Sequence, residues 1–268
     1  MIKFLRAVKG RAYPRVIGAI REPSWMFWEV FLPLLSISAY VFVYRSLHAP
    51  PEFEGFVILG GIMTAYWLNV LWGMASQFYW EKEVGNLQHY IMAPASLESI
   101  LAGMALGGMF GTTTRAVSVL ILGTLLFHVH MSLTSPLLLV AVFLICLAAM
   151  YAMGMMFASL FLLWGREAWV LSSLFEEPIY FLSGQNFPVK ALGSSVALAA
   201  SIIPLTLGLD AMRQLIFPSS IPYALLNPYL ELIILVVLTF LYFILARIFL
   251  KKMEKIGKTK GTIITRWL

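Results

Sequence analysis

The sequence predicts an all-α membrane protein with six transmembrane helices. Of its 268 residues, 60% are hydrophobic and only 12% are charged, whereas soluble domains carry roughly 25% charged residues. The long apolar stretches also lack the polar faces that helices or strands of a soluble domain would show. Composition and pattern therefore both argue against a soluble domain.

Six apolar stretches are long enough to cross the membrane, since about 20 residues span a hydrocarbon core of ~30 Å. The fifth carries Glu176 and Glu177, and a carboxylate at membrane depth costs at least a few kcal/mol unless it is paired, protonated or hydrated. These glutamates must therefore face protein or a water-filled path. The predicted crossings are residues 25–44, 55–79, 100–127, 136–163, 168–187 and 227–250.

The distribution of lysine and arginine predicts the orientation. Six such residues precede the first crossing and six follow the last, whereas the connections 46–54 and 128–135 contain none. Because positive charge accumulates on the cytoplasmic side, both termini and Arg166 in the turn 164–167 are predicted to be cytoplasmic. We expect a multi-pass protein of the cell membrane. Its net charge of +6 then reflects orientation and contact with anionic lipids, and it does not indicate nucleic acid as a partner.

Three segments outside the crossings have their own predicted structures. Residues 1–24 form an amphipathic helix at the inner interface, ended by Pro23. Residues 251–268 form a basic cytoplasmic tail. Residues 188–222 contain two stretches too short to cross, and the second places Asp210 and Arg213 one helical turn apart. We expect two re-entrant helices in the outer leaflet, which form either an external gate or a lid that only packs.

The longest predicted cytoplasmic link between crossings is EKEVGNLQHYIMAPAS, residues 81–96. Its apolar residues recur at helical spacing and predict a short amphipathic helix over 81–94. Pro94 ends this helix, and Ser96 caps the next one with Glu98 in its first turn. The helix either docks in a groove of another protein or lies on the lipid headgroups. The apolar residues are Val84, Leu87 and Ile91.

Three motifs follow one another along the chain. The second is S-G-x-x-F-P within LSGQNFPVKALG (182–193), and the third is P-L-T-x-x-x-D-x-x-R within PLTLGLDAMRQL (204–215). The first, E-K/R-E-x-G-x-L-x-x-x-x-x-x-P, is matched by Glu81, Lys82, Glu83, Gly85, Leu87 and Pro94. Together and in this order they resemble the motifs of type 2 ABC exporter permeases, a family that includes drug, multidrug and polysaccharide exporters. Asn86 and Gln88 depart from the first motif of the family, where Thr and Glu are frequent.

The resemblance covers nearly the whole chain and implies a permease that works as two copies together with two copies of a separate cytoplasmic ATPase. The permease would move an amphiphilic, drug-like, lipid-linked or polysaccharide substrate outward. It would not be an enzyme itself and would hold no cofactor, because ATP and Mg²⁺ bind to the partner subunit.

The resemblance also assigns roles to residues. Residues 81–94 would be the coupling helix, seated in a cleft of the ATPase. Glu81, Lys82 and Glu83 would make charged contacts at its rim, and Leu87 and Ile91 would be its apolar anchors. The expected outer gate comprises Gly184, Phe187, Pro188, Asp210 and Arg213.

The charged residues inside the crossings are candidates for the translocation path. One interpretation places Glu176 and Glu177 along that path or at the seam between two permeases, in contact with a cationic or hydroxylated substrate. Another places them nearer the cytoplasmic interface. A structural alternative pairs them with Arg115 of the third crossing. In the same crossing, three glycines at four-residue spacing predict a close helix-packing face. They are Gly103, Gly107 and Gly111.

Other functions are less well supported. A stand-alone secondary transporter or channel would use Glu176, Glu177 and Asp210, but the two halves of the chain show no inverted repeat. GKT at 257–259 is not a phosphate loop, because Lys252 stands where that motif needs glycine. A membrane enzyme would need a constellation of nucleophilic or metal-ligating residues, and the sequence shows none.

Overall fold

The computed structural model describes residues 2–163 and 168–260. All regular secondary structure in these two ranges is helical, so the predicted all-α class is confirmed. The turn containing Arg166 and the end of the predicted tail, residues 261–268, lie outside the described residues. The helices are α1 (Ile2–Arg21), α2 (Pro23–Ser46), α3 (Glu52–Leu68), α4 (Gln77–Glu83), α5 (Leu87–Met92), α6 (Leu97–Phe127), α7 (Pro136–Leu163), α8 (Ala168–Leu182), α9 (Ser194–Ala200), α10 (Pro204–Ile216) and α11 (Pro228–Lys260).

Within the described residues, five helical stretches are long and apolar enough to cross a membrane. They correspond to the first, second, third, fourth and last predicted crossings. The second consists of α3, a π-helical segment at Asn69–Ala75 and α4. A π-helix hydrogen-bonds from i to i+5 and is often found at functional sites.

The fifth predicted crossing is shorter than expected. Its helix, α8, has 15 described residues, which is about 22 Å at 1.5 Å per residue. It ends at Leu182, so the prediction that it continues to residue 187 is wrong. The reason is local: Gly184 has a φ of +64°, and this left-handed conformation turns the chain away from the helix axis.

The two short helices predicted after α8 are present. α9 and α10 are bent by 112° at the break between them. All 13 residues of α10 are buried, because α10 packs between α7, α11 and α3. Its Gly208 lies against Cys146 of α7, whose thiol is also buried.

The glycines of α6 form a close packing face, as predicted, and the helix that packs on them is α1. A Cβ atom on Gly103 would lie 2.7 Å from Cβ of Arg11, and one on Gly107 would lie 2.8 Å from the carbonyl oxygen of Ala12. Residue numbers rise together along the two helices, so α1 runs beside α6 in the same direction. The backbones approach this closely only because α6 presents glycine.

Candidate functional site

The predicted coupling helix is broken in two. α4 ends at Glu83, Gly85 has a φ of +82°, and α5 begins at Leu87. The prediction of one continuous helix is therefore wrong, since a left-handed glycine ends a helix. The end of the segment agrees with prediction: Ala93 is extended before Pro94, and Ser96 Oγ accepts a hydrogen bond from the Ser99 amide at 3.2 Å.

The break reorients the side chains of this segment. Leu87 is completely buried in the core of the chain, and Glu81 and Lys82 are only 7% and 3% exposed. Glu81 forms an ion pair with Arg11 of α1 and accepts a hydrogen bond from Asn86 at 3.0 Å. These three side chains are thus buried within the chain, and the contact with the ATPase that the resemblance implies for them stays a prediction.

Other side chains of the segment form the exposed surface. Val84 is 62% exposed and Met92 is 73% exposed. Sequence analysis placed Val84 on one apolar face with Leu87 and Ile91 and did not select Met92. Gly85, which can end a helix, was the available signal that this face is divided. We use the name coupling surface for these two side chains and their neighbours Glu83, Gly85, His89, Ile91 and Pro94.

Helix α1 is tied to this segment from the side. The guanidinium of Arg11 binds Glu81 and lies over the ring of Tyr90, 5.2 Å from its centroid. One turn later, Arg15 donates to the carbonyl of Gly73 in the π segment. Burial, assisted by the charge of Arg11, lowers the pKa of Arg15 to about 10, so this side chain remains cationic at neutral pH. α1 thus links the coupling segment to the second span.

Away from the coupling surface, the second and third sequence motifs (182–193 and 204–215) are in contact with each other. Arg213 of α10 is 2% exposed, and its guanidinium donates to the carbonyls of Gln185 at 2.7 Å, Phe187 at 3.0 Å and Phe56 at 3.2 Å. The hydroxyl of Tyr44 donates to the carbonyl of Asn186 at 2.7 Å. We call Arg213, Tyr44 and the turn 183–188 the outer clamp, because these bonds hold the backbone carbonyls of residues 185–187, directly after α8.

The spacing of Asp210 placed it one helical turn from Arg213, but its hydrogen bonds are to other residues. Its carboxylate accepts hydrogen bonds from the Gln214 side chain at 3.0 Å and from the Leu225 amide at 2.8 Å. Gln214 also reaches Glu231 at the start of α11, which is fully buried. Sequence analysis missed Gln214 and Glu231. Asp210 therefore joins α10 to the segment that leads into the last span.

The three charged residues predicted for the translocation path line one cavity of about 570 Å³. Glu176 accepts hydrogen bonds from Trp72 Nε1 at 2.8 Å and from the Tyr180 hydroxyl at 3.4 Å, while Glu177 is exposed. The turn 183–188 of the outer clamp contributes to the lining of this cavity. Other lining residues are Tyr40, Thr64, Phe181, Gln185, Asn186 and Phe187.

Arg115 does not pair with Glu176 or Glu177, so that structural alternative is wrong. Its Nη1 lies 3.6 Å from the carboxylate of Glu29 in α2, and its Nη2 donates to the carbonyl of Ala65 at 3.0 Å. Sequence analysis missed Glu29, although it is the one acidic residue inside the first predicted crossing. The ion pair between α2 and α6 was therefore not predicted from the sequence.

A second cavity, of about 540 Å³, lies on the other side of Arg115. It is lined by α1, by the start of α2 and by the π segment, including Arg15, Glu22, Trp25 and Trp72. We call it the inner cavity, and the cavity that contains Glu176 the outer cavity.

Comparison with known proteins gives one family. The sequence profile described as ABC-2 type transporter matches residues 15–217, which is more than half of the 268 residues. The match includes α2 to α10, the coupling surface, both cavities and the outer clamp. No curated protein matches the chain.

Proposed function

The chain belongs to the ABC-2 type transporter family, and on that premise we propose that it is the permease subunit of an exporter powered by a separate cytoplasmic ATPase. Two copies of the chain would combine with two copies of the ATPase, which binds ATP and Mg²⁺. The chain would lie in the cell membrane with both termini in the cytoplasm, as its lysine and arginine distribution predicts.

The observation that carries the proposal is the coupling surface. Val84 and Met92 are large apolar side chains that are more than half exposed, at the end of the molecule where a soluble partner would bind. Apolar residues surrounded by polar ones favour protein contact. The exposed His89 and the partly exposed Glu83 supply the polar surroundings. We propose Val84 and Met92 as the anchors of the ATPase in place of Leu87.

The contacts around this surface support transmission of movement into the membrane. α4 continues through the π segment into α3, and the Arg11–Glu81 ion pair joins α4 to α1. α5 leads through a short turn to the capped start of α6. Closure of an ATPase dimer can act on the spans only through such rigid contacts. A displaced coupling surface would therefore move α1, α3 and α6, which line the inner cavity.

The two cavities are the proposed translocation path for an amphiphilic, drug-like, lipid-linked or polysaccharide substrate. At about 570 and 540 Å³, each has the size of a small-molecule site. In the outer cavity Arg115 is paired with Glu29, whereas the hydrogen-bond donors to Glu176 among the described residues, Trp72 and Tyr180, are uncharged. This leaves an excess of negative charge and favours a cationic or hydroxylated substrate group at Glu176 and Glu177.

The test is co-purification with the candidate ATPase, followed by measurement of its ATP hydrolysis. We expect Val84→Asp combined with Met92→Asp to abolish both association and stimulation, because two charges enter an apolar contact. The matched control is Leu133→Asp. It changes an exposed apolar residue in the predicted external connection and should have no effect. Unchanged assembly and stimulation in the double variant would refute the proposed coupling role.

A further inference from the structure

We propose that the ion pair between Glu29 and Arg115 is the partition between the inner and outer cavities, and that it must separate for a substrate to pass. The inference rests on the proposed function, because it places a closing element inside the translocation path. It assigns Glu29 and Arg115 a role that neither sequence motif nor family match gives them.

The position of Arg115 carries this inference. Among the lining residues of the two cavities, only Leu68 and Arg115 are shared. A third cavity, of about 390 Å³ between α2 and α6, is also lined by both Glu29 and Arg115. The outer cavity extends from there to the turn at Gln185, and the inner cavity extends to Arg15 of α1. A guanidinium therefore lies where three cavities meet.

Both members of the pair are held independently of each other. Glu29 accepts a hydrogen bond from Trp25 Nε1 at 2.9 Å, one helical turn away on α2. Arg115 donates to the carbonyl of Ala65 at 3.0 Å, next to the start of the π segment. When α2 and α6 move apart, each side chain keeps its second hydrogen bond. The pair can therefore open without either charge losing every partner.

The distance between Glu29 and Arg115 indicates that the attraction between opposite charges, more than a hydrogen bond, holds the pair together. At 3.6 Å it is longer than a charge-assisted hydrogen bond of about 2.7–2.9 Å, so the attraction is mainly Coulombic. The Glu29 side chain is 32% exposed, so water weakens this attraction and another charged group can compete with it. Arg115 Nε, in addition, is buried without a hydrogen-bond partner among the described residues. A polar or charged group of a passing substrate can replace one member of the pair and use this free N–H group.

The chain offers a simple way to test the partition. Cys146 is its single cysteine, so Cys146→Ala removes every thiol. Ser36→Cys then places a reporter in the outer cavity, and Gly18→Cys places one in the inner cavity, where a Cβ atom meets nothing within 4 Å. Purified protein in vesicles is treated from one side at a time with a charged, membrane-impermeant thiol reagent.

With the pair intact, we expect each reporter to be labelled from one side only, and from opposite sides. Glu29→Gln removes the charge but keeps an oxygen to accept from Trp25, and it should allow labelling of both reporters from both sides, at least tenfold faster from the formerly closed side. The charge exchange, Glu29→Arg with Arg115→Glu, should restore one-sided labelling. Glu52→Gln, outside all three cavities, is the matched control.

Two outcomes would overturn the proposal. One-sided labelling in Glu29→Gln would show that another element closes the path. Two-sided labelling in the charge-exchanged protein would show that the side chains close it by shape and not as an ion pair. Labelling needs no ATPase, so the two proposals can fail separately. If the variant that combines Val84→Asp with Met92→Asp shows one-sided labelling and unchanged ATPase stimulation, the coupling role is refuted and the partition is not.

Discussion

The outer clamp and the coupling surface are opposite kinds of structure within one chain. Every residue of α10 is buried, whereas Leu87 is the one buried residue of α5. Arg213 donates to three backbone carbonyls, while Arg11 pairs with a side chain on another helix. Backbone partners fix the outer clamp internally, whereas the coupling surface is held by side-chain contacts and remains exposed. One of these two regions is therefore rigid and buried, and the other presents an accessible surface.

The largest effect should come from the outer clamp. Arg213→Met would leave the loop carbonyls of Gln185 and Phe187 without their donor, and at about 1–3 kcal/mol for each orphaned group we expect the free energy of unfolding to fall by ~2–6 kcal/mol. Denaturant unfolding of the detergent-purified protein measures this. Lys190→Met, which removes an exposed lysine nearby, should change stability by less than about 0.5 kcal/mol. Equal losses in the two variants would show that the outer end is not internally fixed.

The next prediction separates buried from exposed residues at the cytoplasmic end. Leu87→Ala should lower the free energy of unfolding by about 2–5 kcal/mol, because it leaves a cavity in the core. Val84→Ala, three residues away and exposed, should change it by less than ~0.5 kcal/mol. If Leu87→Ala instead abolished ATPase stimulation without loss of stability, Leu87 would be an anchor after all and the contrast between the ends would be weaker.

A third change tests how closely α1 is held to α6. Gly103→Ala should destabilise the protein by about 1–3 kcal/mol, because the new Cβ would overlap Arg11. Gly111→Ala is the matched variant: its Cβ would lie 3.7 Å from that of Ala19, an ordinary contact, and alanine favours helix by up to about 1 kcal/mol. Thermal unfolding of both variants should place them on opposite sides of the unsubstituted protein. The same loss in both would contradict the glycine packing face.

The smallest effect should come from a single hydrogen bond of the clamp. Tyr44→Phe removes the donor to Asn186 and should cost about 1 kcal/mol. Tyr40→Phe, on the same helix with an exposed ring, should be nearly neutral. A Tyr44→Phe protein as stable as Tyr40→Phe would show that Arg213 alone secures the turn.

The features that sequence predicted correctly are local ones. Hydrophobic length located the spans, Pro94 and Ser96 gave the end of α5 and the start of α6, and the spacing of Gly103 and Gly107 predicted a packing face. Each depends on residues within a few positions of one another. The partner of that face, α1, lies almost 100 residues earlier and was not predicted.

The features that sequence missed depend on how helices are rotated against each other. Glu29 and Arg115 meet because α2 and α6 turn these faces together, and no spacing within one helix specifies that. Periodicity placed Val84, Leu87 and Ile91 on one apolar face by assuming an unbroken helix. Gly85 invalidated that assumption, since one left-handed residue changes the direction of every side chain after it. Leu87 therefore turns into the core, whereas Val84, which precedes the break, is exposed.

The π segment makes the length of the second span a determinant of its orientation. A π turn contains one residue more than an α turn, so the same residues wound as a regular α-helix through Asn69–Ala75 would place α4 one residue further around the axis. Everything that follows would then rotate by about 100° around the helix axis. Glu81 would turn away from Arg11, and the anchors next to it would face another direction. The extra residue of the π segment therefore sets the rotation of α4 and, with it, the direction in which the coupling surface faces.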